Sequence, residues 1–409
     1  MPDNESQLRN RMAAMLAILK TPKIALARPA VNLFLMRYMG KFPLQRVGGN
    51  IILHSHLPPV NSKAFARFVN EQLVGKSTGP SHAQIGLTNA CPQHCSCCYS
   101  QRRTGRAMDT ETIVKAIRDL KRLGVFWLGF TGGEPLLNRD IVRIIASVGD
   151  DCAVKLFTTG CGLTKELAAG LQKAGLYSVS VSLDHQDEAV HDMGRGYQGA
   201  YRAARRAIDT FLDLGSVHVG VSAVLTRDMI NTSRAEDFLG FLEGLGIHEA
   251  WLSEAKPSAP TSWDKEAVIT ERERLKLVKL QDRYNREGKM TVNYLGHFEG
   301  REHFGCNAGR KMVYVDAFGE VGPCVFTPMT FGNLRERPLA EIVREMRESF
   351  PPGDSCFIND NFELLKKYHQ GRMPLGREET LALLKEARFG PPARFFQLHD
   401  QGNRGRRAK

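Results

Sequence analysis

The chain has 409 residues, 42% of them hydrophobic and 24% charged, with a formal net charge of +12. That length allows one large α/β domain with an appendage, or two to three domains, and the composition is that of an ordinary folded protein. No stretch approaches the roughly 18–20 apolar residues that cross a bilayer, and nine cysteines without a signal peptide exclude a disulfide-built secreted scaffold and point to the reducing cytoplasm.

The charge is unevenly spread. Between Ser6 and Asn70 there is no acidic residue, against ten Lys and Arg. Leu8, Met12, Met15, Leu16 and Leu19 share a stripe that predicts a helix over 6–20. Pro22 and Pro29 interrupt the pattern, and a second apolar stretch covers 31–39. A basic, amphipathic segment of this kind suits the plane of an anionic membrane surface. Equally, the stripe packs on the main domain and the charges are solvated. The same charge attracts RNA, but no stacking aromatics interleave it, which counts against nucleic acid. Residues 47–57 read as a strand or hairpin, with His54 and His56 on one face as surface residues rather than metal ligands. At the other end, residues 403–409 form a basic tail that reads as mobile.

From residue 83 a strand–loop–helix pattern repeats. Strands are predicted over 84–88, 127–131, 154–158, 178–183, 218–226 and 249–253, apolar on both faces as parallel strands under helices are. Helices are predicted between them over 110–123, 164–175, 197–214 and 232–245. In the first, Ile113, Ala116, Ile117 and Leu120 share a face and Gly124 supplies the stop; Thr164 caps the second. This alternation implies parallel βαβ units. Trp127 and Phe157 read as core, and Cys152 and Cys161 as core or turn residues.

Three motifs fall at the predicted strand ends. The run Cys91-Pro92-Gln93-His94-Cys95-Ser96-Cys97-Cys98-Tyr99 contains the spacing C-x3-C-x2-C in Cys91, Cys95 and Cys98. Soft thiolates on one compact loop suit an iron–sulfur cluster. A structural zinc knot is the alternative, although zinc sites usually close four ligands in two separated pairs. Gly132-Gly133-Glu134-Pro135 lies 34 residues past Cys98; two glycines admit close backbone approach, and a carboxylate accepts hydrogen bonds from an ammonium group. Thr158-Thr159-Gly160 and Ser180-Val181-Ser182-Leu183-Asp184 end the next two strands, with Arg195 thirteen residues past Ser182. Further on, Cys306, Gly319 and Cys324 form C-x12-G-x4-C, followed by Gly332-Asn333, a predicted helix over 339–347 and Cys356.

The cysteine loop together with GGEP resembles the radical S-adenosylmethionine (radical SAM) superfamily. The pattern from Cys306 resembles the opening of its SPASM and twitch domains. The resemblance covers roughly residues 83–356 and implies an α/β fold: a partial (β/α)6 TIM-like barrel with a helical N-terminal extension and a small C-terminal iron–sulfur domain. The implied division is 1–80 extension, 81–290 barrel, 291–360 auxiliary-cluster domain, and 361–409 a helical cap serving as lid or interface. It further implies a [4Fe–4S] cluster on Cys91, Cys95 and Cys98 whose open iron chelates SAM. Gly132, Gly133, Glu134 and Pro135 would hold the SAM amine, Ser182, Asp184 and Arg195 would lie about its carboxylate end, and Leu225 would contact the adenosine. Cys97 stands where relatives place an aromatic near the adenine, and Tyr99 comes after the third cysteine instead. Cys97 and Cys98 therefore compete as ligand, the spacing favouring Cys98, and His185 replaces an expected glycine. The dense cysteine run of a full SPASM domain is missing. Cys306, Cys324 and Cys356 imply one auxiliary cluster with an open iron or a non-cysteine fourth ligand; the alternative is three ordinary buried cysteines.

The implied activity is reductive cleavage of SAM to a 5′-deoxyadenosyl radical that abstracts hydrogen from an organic substrate. A small electron donor such as ferredoxin or flavodoxin would supply the electron. No acid–base residue stands out. The basic N-terminus points to a lipid or isoprenoid-like substrate, with peripheral contact at the cytoplasmic face of the membrane. The rival is a maturase acting on a ribosomally made peptide, although no leader-binding winged domain is evident. A non-catalytic iron–sulfur scaffold or sensor and an RNA-modifying enzyme are further alternatives.

Overall fold

The structure, a computed structural model, describes residues 4–19, 21–74, 79–287 and 290–404, so most of the basic tail lies outside the described residues. In chain order the strands are β1 Gln45–Val47, β2 Asn50–Ile52, β3 His82–Thr88, β4 Trp127–Gly132, β5 Ala153–Thr158, β6 Ser178–Ser182, β7 His218–Leu225, β8 Glu249–Glu254, β9 Thr291–Tyr294, β10 Met312–Val315 and β11 Val321–Gly322. β1 and β2 form a hairpin. The others make one nine-stranded sheet in the order β11-β10-β3-β4-β5-β6-β7-β8-β9. All neighbours in it are parallel except β10 and β11.

The six strands expected from the sequence are β3 to β8, each within two residues at its ends. Helices return between them. Asp109 caps Thr110–Arg122 by accepting from the Thr112 amide, and Thr164 caps Lys165–Lys173 by accepting from the Leu167 amide. The expected helix over 197–214 is Ala200–Asp213, preceded by a separate helix, Glu188–Arg195, that stops at left-handed Gly196. Ile85, Leu128, Phe130, Val154, Leu156, Val179, Val181, Val219, Val221 and Leu252 face those helices and form the main core.

The opposite face of the strands is not apolar, as expected from the sequence, but polar. On it lie Gln84, Lys155, Ser178, Ser180, His218 and Glu249, all buried. A partial barrel has a hollow to line, and side-chain alternation along each strand gives that hollow its own set of residues. Ser55, just past the hairpin, plugs it: its amide donates to Glu249 Oε2 (2.8 Å), its carbonyl accepts from Trp127 Nε1 (2.8 Å) and the Tyr177 hydroxyl, and its Oγ accepts from Lys155 Nζ. His54 beside it is 1% exposed and stacks edge-on against Tyr38, and the ring of His56 lies over Trp127. The surface placement expected for this pair is therefore wrong, because the hairpin turns them under the barrel.

Lys155 also lies over the rings of Phe157 (4.8 Å) and Trp251 (5.2 Å). Burial lowers its pKa from 10.5 to about 8, opposed by Glu249. Between those two values the unfolded chain holds a proton that the folded chain has released, so stability rises with pH across about 8 to 10.5. Unfolding midpoints measured through that range should rise more steeply in the native chain than in Lys155→Met. Parallel pH profiles for the two would contradict this reading.

The N-terminal helices Asn4–Leu19 and Pro29–Met39 pack on the body rather than standing apart. Ala14, Val31, Tyr38 and Phe42 share a second core with Ile51, Phe65, Val69 and, from helix Arg394–Arg404, Phe395 and Phe396. The last helix is thus part of this wall. The N-terminal region leaves Met12, Met15, Leu26, Leu33 and Met36 exposed. Among the described residues no helix is long and apolar enough to cross a membrane.

Candidate functional site

β3 delivers the chain into the cysteine loop, and the end of β4 is packed directly on that loop's base. The amides of Gly133 and Glu134 donate to the carbonyls of Thr88 (2.7 Å) and Ala90 (2.8 Å). A Cβ on Gly132, whose φ is +126°, would sit 2.3 Å from the Thr88 carbonyl oxygen, and one on Gly133 would sit 2.3 Å from that of Ala90. The paired glycines are required here by backbone meeting backbone. Glu134 follows, fully buried. Its Oε1 accepts from the Leu136 amide (3.0 Å) and the Thr158 hydroxyl (2.7 Å), and its Oε2 from the amide (2.7 Å) and hydroxyl of Thr159. Burial raises its pKa, and the threonine hydrogen bonds oppose that. The carboxylate thus ties the ends of β4 and β5 together, and an incoming ammonium group would share it with these donors. Pro135 opens the short turn Pro135–Leu137.

Arg195 fastens the other side of the loop. Its carbonyl accepts from the His94 amide (2.9 Å), its Nη1 lies 4.0 Å from Cys95 Sγ, and its Nη2 pairs with Asp184 Oδ2 (2.7 Å). Asp184 is itself fixed, since its Oδ1 accepts from the Val224 amide (2.9 Å). Ser182 and Leu225 end β6 and β7 on either side of it, Ser182 half-buried and Leu225 fully. Tyr99 turns away from the open end of the sheet. Its hydroxyl bonds Thr131 Oγ1 (2.6 Å), and its ring packs edge-on against Tyr314 and Phe326 of the C-terminal segment. The sequence-predicted set thus gathers at one end of the strands, with Tyr99 facing inward toward β10.

Cys91, Cys95 and Cys98 are half-buried, whereas Cys97 is exposed. Burial pushes the Cys91 thiol up to about 11, and the thiols of Cys95 and Cys98 are near enough to push the same way. Among the described residues no three His, Cys, Asp or Glu side chains converge tightly enough for a single metal ion. An iron–sulfur cube brings its own bridging sulfides, so its thiolates stand further apart than the ligands of one zinc ion.

The second cysteine trio lies behind β10. The Cys306 amide donates to the Gly353 carbonyl (2.9 Å), Cys324 follows β11, and Cys356 precedes helix Phe357–Tyr368. Burial pushes Cys306 and Cys324 up to about 12 and Cys356 higher still; each also acts on another of the three. All three line an apolar cavity of about 750 Å³. Its walls come from β3 and β10 (Gln84 and Met312), from β8 and β9 (Trp251 and Asn293) and from Tyr38, Phe42 and His54 of the N-terminal region. The cavity therefore fills the lateral gap of the partial barrel. Just past β8, buried Lys256 pairs with Glu254 Oε1 and Glu299 Oε2, both at 3.0 Å. These residues form no motif, although charges at the end of a buried strand are a usable signal in the sequence. Cys152 and Cys161 are buried, as expected.

Residues 85–239 match the Radical SAM superfamily, and residues 306–360 match the SPASM iron–sulfur cluster-binding domain. The chain is 28% identical over 301 residues to the mycofactocin maturase MftC of Mycolicibacterium smegmatis, a match spanning 68% of this chain and 74% of that protein. It is 27% identical to the PqqA peptide cyclase of Methylocella silvestris, over 63% of this chain and 72% of the relative. Among solved structures, Streptococcus suis SuiB bound to its precursor peptide SuiA superposes with a TM-score of 0.59 over 73% of this chain and 75% of that one. At 16% identity that likeness is one of fold. The chain belongs to the radical SAM superfamily: it is an enzyme that uses a [4Fe–4S] cluster and S-adenosylmethionine, and its C-terminal region is a SPASM domain for auxiliary iron–sulfur.

Proposed function

We propose that this enzyme modifies a peptide, with Cys91, Cys95 and Cys98 holding the SAM-binding cluster and Cys306, Cys324 and Cys356 the auxiliary one. The observation that carries the peptide reading is the 27% identity to a PqqA peptide cyclase over most of that protein's length. When bound, reduced cluster and SAM together supply a carbon radical that removes a hydrogen from the substrate. The residues of this chain do the positioning. Arg195, held by Asp184 and set against Cys95, presents a guanidinium to a carboxylate arriving beside the loop. Gly132, Gly133, Glu134 and Pro135 at the end of β4 would take the amine of the bound cofactor, and Ser182 and Leu225 at the ends of β6 and β7 would flank it. The domain division proposed is 1–80, 81–290, 291–360 and 361–409, with β9 to β11 of the third segment joining the barrel's sheet.

A second reading, an isoprenoid or acyl substrate, is favoured by the apolar cavity and by the exposed Met and Leu side chains of the N-terminal helices. The two readings separate in one experiment. Cells of the source organism, grown in deuterated medium, are divided into a small-peptide fraction and a lipid extract, and each is given to the reconstituted enzyme with unlabelled SAM. The expected result is deuterium in 5′-deoxyadenosine from the peptide fraction, abolished by prior protease digestion. Transfer from the lipid extract alone would overturn the peptide reading and establish the second.

A further inference from the structure

Three cysteines leave a four-iron auxiliary cluster one ligand short. Among the described residues that line the lateral cavity, Glu299 is the one acidic side chain, and Cys306, Cys324 and Cys356 line the same cavity. Its placement is fixed by the backbone. β9 ends at Tyr294, the one-turn helix Leu295–Phe298 follows, and Glu299 closes that turn by donating its amide to the Leu295 carbonyl (2.9 Å). The side chain is 14% exposed, and its Oε2 pairs with the Lys256 ammonium at 3.0 Å. Among the described residues no protein donor reaches Oε1. Lys256 is anchored from behind by Glu254, whose Oε2 accepts from the Tyr294 hydroxyl (3.0 Å).

A carboxylate with one oxygen held and the other without a protein donor, on the wall of a cavity that three thiols also line, is equipped to ligate iron. Lys256 supplies the positive charge that makes a fourth anionic ligand tolerable in a buried site. We propose that Glu299 Oε1 is the fourth ligand of the auxiliary cluster, oriented by Lys256 as a second-layer positioning residue, and that the iron it caps is closed to substrate. The proposal rests on the cysteine assignment above.

The test uses the full chain with Cys91, Cys95 and Cys98 changed to alanine, so that only the auxiliary cluster loads. It adds Glu299→Ala, Glu299→Gln and Glu299→Cys. After anaerobic reconstitution, iron is counted and EPR spectra of the reduced cluster are recorded with and without ¹³C-cyanide, a probe of open iron. The expected results are no cyanide effect in the Glu299 parent, a shifted spectrum with ¹³C splitting in Glu299→Ala and Glu299→Gln, and no effect in Glu299→Cys. Should the alanine and glutamine variants fail to hold iron, retention of about four irons by Glu299→Cys alone supports the same conclusion. Equal cyanide binding by the parent and Glu299→Ala would overturn it, as would no binding by either or loss of iron from Glu299→Cys. A parent that loads no iron would overturn the auxiliary cysteine assignment as well, so the two failures are distinguishable.

Discussion

Cys98→Ala is expected to abolish 5′-deoxyadenosine formation and to lower the iron content of the reconstituted enzyme by about four atoms per chain, whereas Cys97→Ala should keep both. The two neighbours differ in where the loop places them. Cys98 is half-buried, its amide donates to the Cys95 carbonyl (3.2 Å), and it acts on Cys91 together with Cys95. Cys97 is exposed. The assay is anaerobic reconstitution, dithionite reduction and chromatography after SAM is added. Normal cleavage by Cys98→Ala together with loss in Cys97→Ala would move the third ligand by one residue.

The largest expected effect on stability is at Arg103 and Asp316, which pair at 3.1 Å with side chains only 3% and 1% exposed. Arg103 leaves the cysteine loop, lies over the Tyr314 ring and donates to the Tyr99 carbonyl (3.4 Å). Asp316 caps the turn after β10 by accepting from the amides of Phe318 (2.9 Å) and Glu320 (3.0 Å). Removing one partner strands the other charge in the interior, so Arg103→Met should cost about 3–5 kcal/mol, read from guanidinium unfolding. Adding Asp316→Asn, which keeps the turn's acceptor oxygen, should recover much of that loss. A single variant within about 1 kcal/mol of the parent would show that the pair is hydrated.

The strand and helix rhythm was legible because βαβ units repeat a simple pattern: Ile113 to Leu120 mark a helix face, and Thr164 its start. The motif residues were legible because their spacing is set by the loop they share. What escaped the sequence were relations between distant segments. Nothing around Ser55 or His54 announces that the hairpin folds under the barrel, because burial there depends on Lys155 and Glu249, each a hundred or more residues away. The alternation of strands 154–158 and 249–253 did carry the polar inner face in Lys155 and Glu249, but the apolar majority concealed it. Glu299 has no motif, and its relation to Cys306 appears only when β9 and β10 have joined opposite ends of the sheet.

The pairing of β10 with β3 also bears on how the chain is made. Ser81 and Lys311, which hydrogen-bond at the start of that ladder, are 230 positions apart. At the usual pace of translation the strand that completes β3 leaves the ribosome roughly 10–50 s after it. Through that interval the nascent chain holds its cysteine loop on a strand with one open edge, rich in Ile85 and Leu87, that can template unwanted pairing. Cluster insertion is thus best timed after β10 has paired with β3, and chaperone dependence during synthesis should exceed that of barrels whose first strand pairs early.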